Sequence, residues 1–534
     1  MRFDPRQSSP VGIVIFIVTI GGLIGAMFMG QIVAHNEFSK IGIVAGGALA
    51  LTICLAMGNK VWLLIPLGWA LTGKIQVLPL PFSVRDLCVY AAFLTFVGLA
   101  VFKKLPKSSK LGWIDGFMFV NLAYLVTVFL RNPVGTRALG SEMVGGKPYL
   151  DVITALLAFW VLQHVTISAK ETKWIPWLMA AGSTTVTFLG VLTQRFTFLV
   201  PIIAPLYSGI NVGAYMAEQR GDAYDETRQS ALFGFASLAG VLMAFTRPLY
   251  LFLFLRPFWS LLMYGTIVAI FLSGFRTGIV YIAVITLLSS YFYAGLKDVL
   301  RLSIIMLLGV MMLIFLQSSG FPIHPAAQRA LSFIPGPWDP DVVAGAQESS
   351  EWRFEMWQIA LESKEYIKNK ILGDGFGFSA YELNLQLQAA WGGQGYLDRG
   401  KTETQLVTGA FHSGPISAIR YVGVVGLVIF TLFLVVCARY AWKLIRQATG
   451  TPFFPLAVFV GVPLIYKPFC YLFVFGAFEG DLPESIVALA FLNMIARAMI
   501  AYQARFENHN PKPYSLHETP NVTTSYSASV ARNA

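Results

Sequence analysis

Apolar runs close to the length of a bilayer crossing return roughly fourteen times along this chain, and a helix needs about 20 such residues to cross the hydrocarbon. They lie near 11–34, 41–58, 61–75, 87–102, 112–130, 150–168, 174–193, 230–246, 257–275, 277–295, 299–317, 416–438, 452–470 and 483–503. Backbone groups in lipid must be satisfied within the segment, so runs of this length predict an all-α, polytopic transmembrane helical bundle of about 12–14 spans. The pair at 41–75 reads either as two spans or as one span and a re-entrant piece. Composition excludes a soluble alternative: 56% of residues are hydrophobic, 13% are charged, and the mean hydropathy is +0.64. The first run follows Arg2 and Arg6, is too long for a signal-peptide core and has no A-x-A site behind it, so it is expected to be retained.

The formal charge of +11 falls largely in short loops and reads as a topology signal rather than a nucleic-acid surface. With the N-terminus in the cytoplasm, alternate loops carry Lys60; Lys103, Lys104, Lys107 and Lys110; Lys170 and Lys173; Arg247 and Arg256; Lys297 and Arg301; Arg439, Lys443 and Arg446; and Arg505. Such basic loops belong on the cytoplasmic face. The loops near 131–149, 194–229 and 317–415 then lie outside. This organisation gives N-terminal spans over 1–316, an extracytoplasmic loop over 317–415, C-terminal spans over 416–504 and a disordered cytoplasmic tail over 505–534, rich in Ser, Thr, Asn and Pro. Cys54, Cys88, Cys437 and Cys470 sit singly in apolar runs, which supports neither a disulfide framework nor a zinc site.

The large outer loop holds most of the unusual chemistry. Trp352, Met356, Ile359, Ala360 and Ile367 recur at helical spacing among Glu351, Glu355, Glu362 and Lys364, predicting an amphipathic helix laid on the bundle or the lipid surface. Gly373, Gly375 and Gly377 follow, allowing a tight turn; no strand precedes them, so a nucleotide-binding loop is not supported. Asp339 and Asp341 form a D-x-D spacing used for metal elsewhere, but among prolines they read as a turn.

Three side chains are candidates for catalysis. Arg276 lies between two apolar runs with almost no loop, where a charge is costly without an anionic partner; the alternative is snorkelling to headgroups. Arg228 stands just before the span at 230–246, and the alternative there is a pair with Asp225 or Glu226. His412, in FHSG at the re-entry into the membrane, can accept a proton at neutral pH, or can serve only as structure.

Taken in order, these pieces resemble the bacterial O-antigen ligase and O-antigen polymerase superfamily of lipid-linked glycan transferases. The match rests on Arg228 with Gly234 and Phe235, the SGxRTG signature from Ser273 to Gly278, Arg353 and Trp357 in an RxxxW helix, the glycine-spaced turn, and His412 followed by Gly423 to Leu427. It covers roughly residues 190 to 440. Ser413 replaces a common Asn, Phe275 fills the third signature position, and Arg420 stands where an acidic residue is frequent. The resemblance implies an enzyme of the outer face of the bacterial inner membrane, acting on an undecaprenyl-diphosphate-linked glycan with a glycan or lipid A-core acceptor, without metal, cofactor or nucleic acid. Other polysaccharide-assembly proteins are implied as partners. It assigns diphosphate binding to Arg276 and Arg228 and the general base to His412. Arg353, Arg420, Gly375 and Gly377 are expected at the substrate, the two arginines either holding phosphate or bracing the loop. A transporter or flippase of the same lipid-linked glycan is the alternative, and it predicts internal pseudo-symmetry that is not visible in the sequence.

Overall fold

The computed structural model describes most of residues 52–509; nearly all of 1–51 and 510–534, the stretches 76–81, 136–140, 211–228, 380–383 and 385–395, a few single positions, and the side chains of 396–401 and 505–509 lie outside that description. The long elements are α1 (Val84–Val101), α2 (Trp113–Arg131), α3 (Lys147–Gln163), α4 (Trp174–Arg195), α5 (Ala236–Phe245), α6 (Pro257–Leu272), α7 (Arg276–Ala294), α8 (Leu296–Ser318), α9 (Pro340–Glu362), α10 (Tyr396–Thr408), α11 (Gly414–Ala448), α12 (Phe454–Phe469) and α13 (Phe478–His509). Among the described residues eight helices are long and apolar enough to cross a membrane, and Ser230–Phe245 and Pro257–Leu272 are shorter apolar helices. Among the described residues the strands are β1 (Met143–Val144) and β2 (Phe378–Ser379), which form one short antiparallel pair. The protein is all-α and polytopic, as expected. In the apolar run at 61–75, helical geometry ends after Gly68, and Lys74 bridges Ser83 in an extended turn.

Helix starts follow local chemistry. Asp86 and Ser83 exchange side-chain and backbone bonds in a capping box at α1, and Asp115 accepts the Gly112 N–H at 2.7 Å to cap α2. Between helices, where lipid removes most of the hydrophobic driving force, small residues and polar contacts hold the bundle. A Cβ at Gly182 would sit 2.2 Å from the Leu67 carbonyl oxygen, and one at Gly461 would sit 2.8 Å from Ile445. Arg497 of α13 donates to the carbonyls of Leu162 (2.6 Å), Gln163 (2.8 Å) and Val165 (3.2 Å), satisfying the orphan acceptors at the end of α3. By contrast α8 turns Leu300, Ile304, Leu307, Leu308, Met311 and Met312 outward, a face suited to lipid.

Contacts fix which ends lie together. At one end Asn493 meets Asp115, Tyr293 meets Phe454, and the Thr172 hydroxyl reaches the Pro452 carbonyl. At the other end Arg131 meets Leu372, His412 meets Phe475, and β1 meets β2. The second end carries a cap, α9 and α10, whose own core buries Met356, Ala360, Ile367, Leu406, Phe411 and Ile416. Each large apolar side chain buried there contributes about 1.5–3 kcal/mol relative to exposure in water. The amphipathic helix is longer than its apolar pattern suggested: Asp339 caps it by accepting the Asp341 N–H at 2.9 Å, and it ends at Glu362. Ile367 belongs to the cap core but follows the helix, while Ile359 is 42% exposed.

Candidate active site

His412 is placed by the start of α11. Pro415 occupies the first turn, where its missing N–H costs nothing, and Ser413 is extended before it. Gly414 then passes so close to Tyr471 that a Cβ would lie 2.2 Å from the Tyr471 carbonyl oxygen, while the Tyr471 hydroxyl donates to the Gly414 carbonyl at 2.8 Å. The chain turns into this helix through His412 itself, at φ +54°. The imidazole is exposed, its Nε2 is 3.4 Å from the Gln405 amide nitrogen of α10, and its ring stacks on Phe475 with centroids 5.8 Å apart. With the amide donating, Nε2 is an acceptor, the state a base requires.

Arg276 is the first residue of α7. Gly274 at φ +72° and the extended Phe275 reverse the chain, and a Cβ at Gly278 would come 2.9 Å from Ile270, so the SGxRTG residues make a closely packed helix hairpin. The Arg276 guanidinium donates to the Ser350 hydroxyl of α9 at 3.3 Å. Ser350, Arg353 and Trp357 stand at i, i+3 and i+7 on one face of that helix. The Trp357 indole N–H donates to the Phe411 carbonyl at 2.8 Å, next to His412. One helix face therefore links Arg276 to the His412 segment across roughly 10 Å, at 1.5 Å rise per residue.

The glycine run has a different position. α11 breaks at Gly423, with φ +70° and ψ 178°, which frees carbonyls before the break and N–H groups after it. The loop supplies the partners: Asp374 and Gly375 N–H groups donate to the carbonyls of Arg420 and Tyr421, both at 2.9 Å, and Val424 N–H donates to Lys370 at 2.8 Å. Buried Arg420 sits 3.3 Å from the Asp374 carboxylate and donates to the Gly377 carbonyl at 3.2 Å. Of its two expected roles, this geometry is the bracing one. Gly375, at φ +75°, and Gly377, where a Cβ would meet Val134 at 2.3 Å, are packed into the same joint.

Arg228 lies outside the described residues. Among the described residues no group of three or more His, Cys, Asp or Glu is arranged to hold a metal ion. Charges that the sequence reading passed over also gather at the capped end: Lys467 of α12 pairs with Asp481 and, at 2.8 Å, with Glu484, both of α13. A lysine within an apolar run was the available signal. In the cap, Tyr366 donates to Glu403 at 3.2 Å; burial pushes the Glu403 carboxyl above its ordinary value, offset in part by that bond and reinforced by Glu365.

The polytopic helical bundle has a capped end where arginine, histidine and a linking helix face converge. A family model described as O-antigen ligase matches residues 260–431, which supports the resemblance to the O-antigen ligase and polymerase superfamily. The match implies an enzyme of the glycan-transferring type, with lipid-linked glycans as the family's substrate class, and the chain is a multi-pass membrane protein. The matched stretch contains Arg276, Arg353, His412 and Arg420; Arg228 and Lys467 fall outside it. No curated protein matches the chain.

Proposed function

We propose that the capped end faces the periplasm and transfers glycan from an undecaprenyl-diphosphate-linked donor to an acceptor hydroxyl on a second lipid-linked glycan or a lipid A core. The helix face of Ser350, Arg353 and Trp357, joining Arg276 to the His412 segment, is the observation that carries this reading. In the step, the acceptor oxygen bonds to the anomeric carbon as the bond from that carbon to the diphosphate oxygen breaks. The hydroxyl proton passes to His412, and undecaprenyl diphosphate leaves. Negative charge grows on the departing diphosphate, and guanidinium groups match its oxygens bidentately while staying charged. Arg276 takes that role with Arg228, and Arg353 lies on the path between the two ends. The donor is already activated, so the guanidinium charges supply the electrophilic assistance without a cofactor. The end opposite the cap carries Lys173, Arg247, Arg256, Lys297, Arg301, Lys443 and Arg446, a basic character that supports a cytoplasmic assignment for it.

Purified protein in proteoliposomes, given the donor and an acceptor glycan, tests this. Glycosidic product should form with one undecaprenyl diphosphate released per bond. Arg276→Lys, which keeps charge but loses the fork, should insert normally and lose most product. Movement of intact donor across the bilayer without bond formation would establish the transporter instead.

A further inference from the structure

We propose that a second site, at the end of the bundle opposite the cap, binds the phosphate headgroup of an anionic phospholipid. Between α4, α5 and α6 lies a cavity of about 350 Å³, walled by Trp174, Trp177, Phe245 and Trp259 and flanked by Lys173 and Arg256. It sits far from His412 along the bundle, since Thr172 reaches Pro452 at the end where α11 finishes. No acidic side chain lines it, and among the described residues neither cation has an ion-pair partner. The neighbouring acids are engaged elsewhere: Glu171 bonds Ser168 and pairs with Lys60, and Asp298 holds Arg247 and Arg301. Lys173 and Arg256 immediately precede α4 and α6, so two chain segments bring their cations to the same opening. Trp177 stacks on Phe245 at 6.2 Å and meets Trp259 at 5.9 Å, an apolar wall for the chain region below a headgroup. Exposed Trp174, Leu255 and Phe258 surround the mouth with the amphipathic and apolar residues of a membrane interface. Two unpaired cations over an aromatic slot match a lipid phosphate and its acyl chains better than a soluble anion, which would leave the slot wet.

Native mass spectrometry of the full chain, titrated with phosphatidylglycerol or phosphatidylethanolamine, reads the site. Phosphatidylglycerol should be retained preferentially, and Lys173→Gln with Arg256→Gln should weaken its retention by about tenfold or more, with the loss shrinking at high salt. Arg256→Gln alone, removing one exposed charge, should give an intermediate loss. The control pair Lys170→Gln with Lys297→Gln, exposed at the same end, should leave retention unchanged. Equal retention of both lipids, an equal loss in the control pair, or full competition by inorganic phosphate would overturn the proposal.

Discussion

His412 holds a left-handed backbone, a conformation that costs a residue bearing a Cβ roughly 1–2 kcal/mol. The fully buried Phe411 and the Trp357 bond to its carbonyl hold the turn in place on one side, and Gly414 against Tyr471 holds it on the other. Trp357→Phe keeps an aromatic ring but loses the N–H, so it should lower transfer by about fivefold through a loosened His412, since one such bond contributes about 1 kcal/mol. Unchanged transfer kinetics in that variant would show that the strap does not position the imidazole. Glu403, bonded to Tyr366 in the cap, makes cap stability depend on pH. Its folded carboxyl titrates above its unfolded value, so the folded state binds more protons between the two, and cap stability falls as pH rises through that window. The Tyr366 phenol, pushed up to about 12 chiefly by burial, stays a donor throughout. Protection of the α10 amides, corrected for the intrinsic pH dependence of exchange, should therefore be greater on the acid side of the window, and Glu403→Gln, which keeps an acceptor for Tyr366, should abolish the trend. His412 and Arg276 were legible in the sequence because a charge or imidazole beside an apolar run stands out. Gln405 and Ser350 were not, because each acts only through a contact that the tertiary fold creates, and Trp357 stood out only as part of the RxxxW helix, without its bond to the Phe411 carbonyl.

At the scale of elements the broken α11 decides the architecture. The apolar run near 416–438 reads as one uninterrupted span, and its glycines carry no hint of a break until the loop from Lys370 to Gly377 is seen completing its hydrogen bonds. Hydropathy reports burial, not backbone continuity, so the joint was invisible while the helix itself was plain. Gly423→Ala would force a Cβ to within 2.2 Å of the Ile371 carbonyl oxygen at a positive φ, and should cost at least about 2 kcal/mol. Gly450→Ala, at φ +77° with nothing within 4 Å, carries the backbone strain alone and should cost about 1 kcal/mol. Thermal unfolding in detergent compares the two; equal losses would mean that the loop does not clamp the break. The amphipathic helix was legible from Trp352 onward, yet its first turns, from Pro340, lack apolar periodicity and depend on the Asp339 cap.

For the whole molecule, alternation of basic loops with apolar runs assigns one end to the cytoplasm and the other to the outside, from charge counts that survive any error in a helix boundary. Exposed Glu348 on α9, replaced by Cys, should react with an impermeant maleimide in intact cells, and exposed Lys297→Cys at the far end only after permeabilisation. The reverse pattern would turn the bundle over and put the chemistry in the cytoplasm. Both outcomes leave open whether the capped end catalyses transfer through His412, and that claim has its own direct measurement: the single-turnover rate of glycan transfer in His412→Ala, with donor binding followed on the same preparation. General-base catalysis contributes about 10² to 10⁴-fold, so the rate should fall by that factor while bound donor is retained, since the diphosphate is held by the arginines. A His412→Ala protein that transfers glycan at close to the wild-type rate would contradict the account.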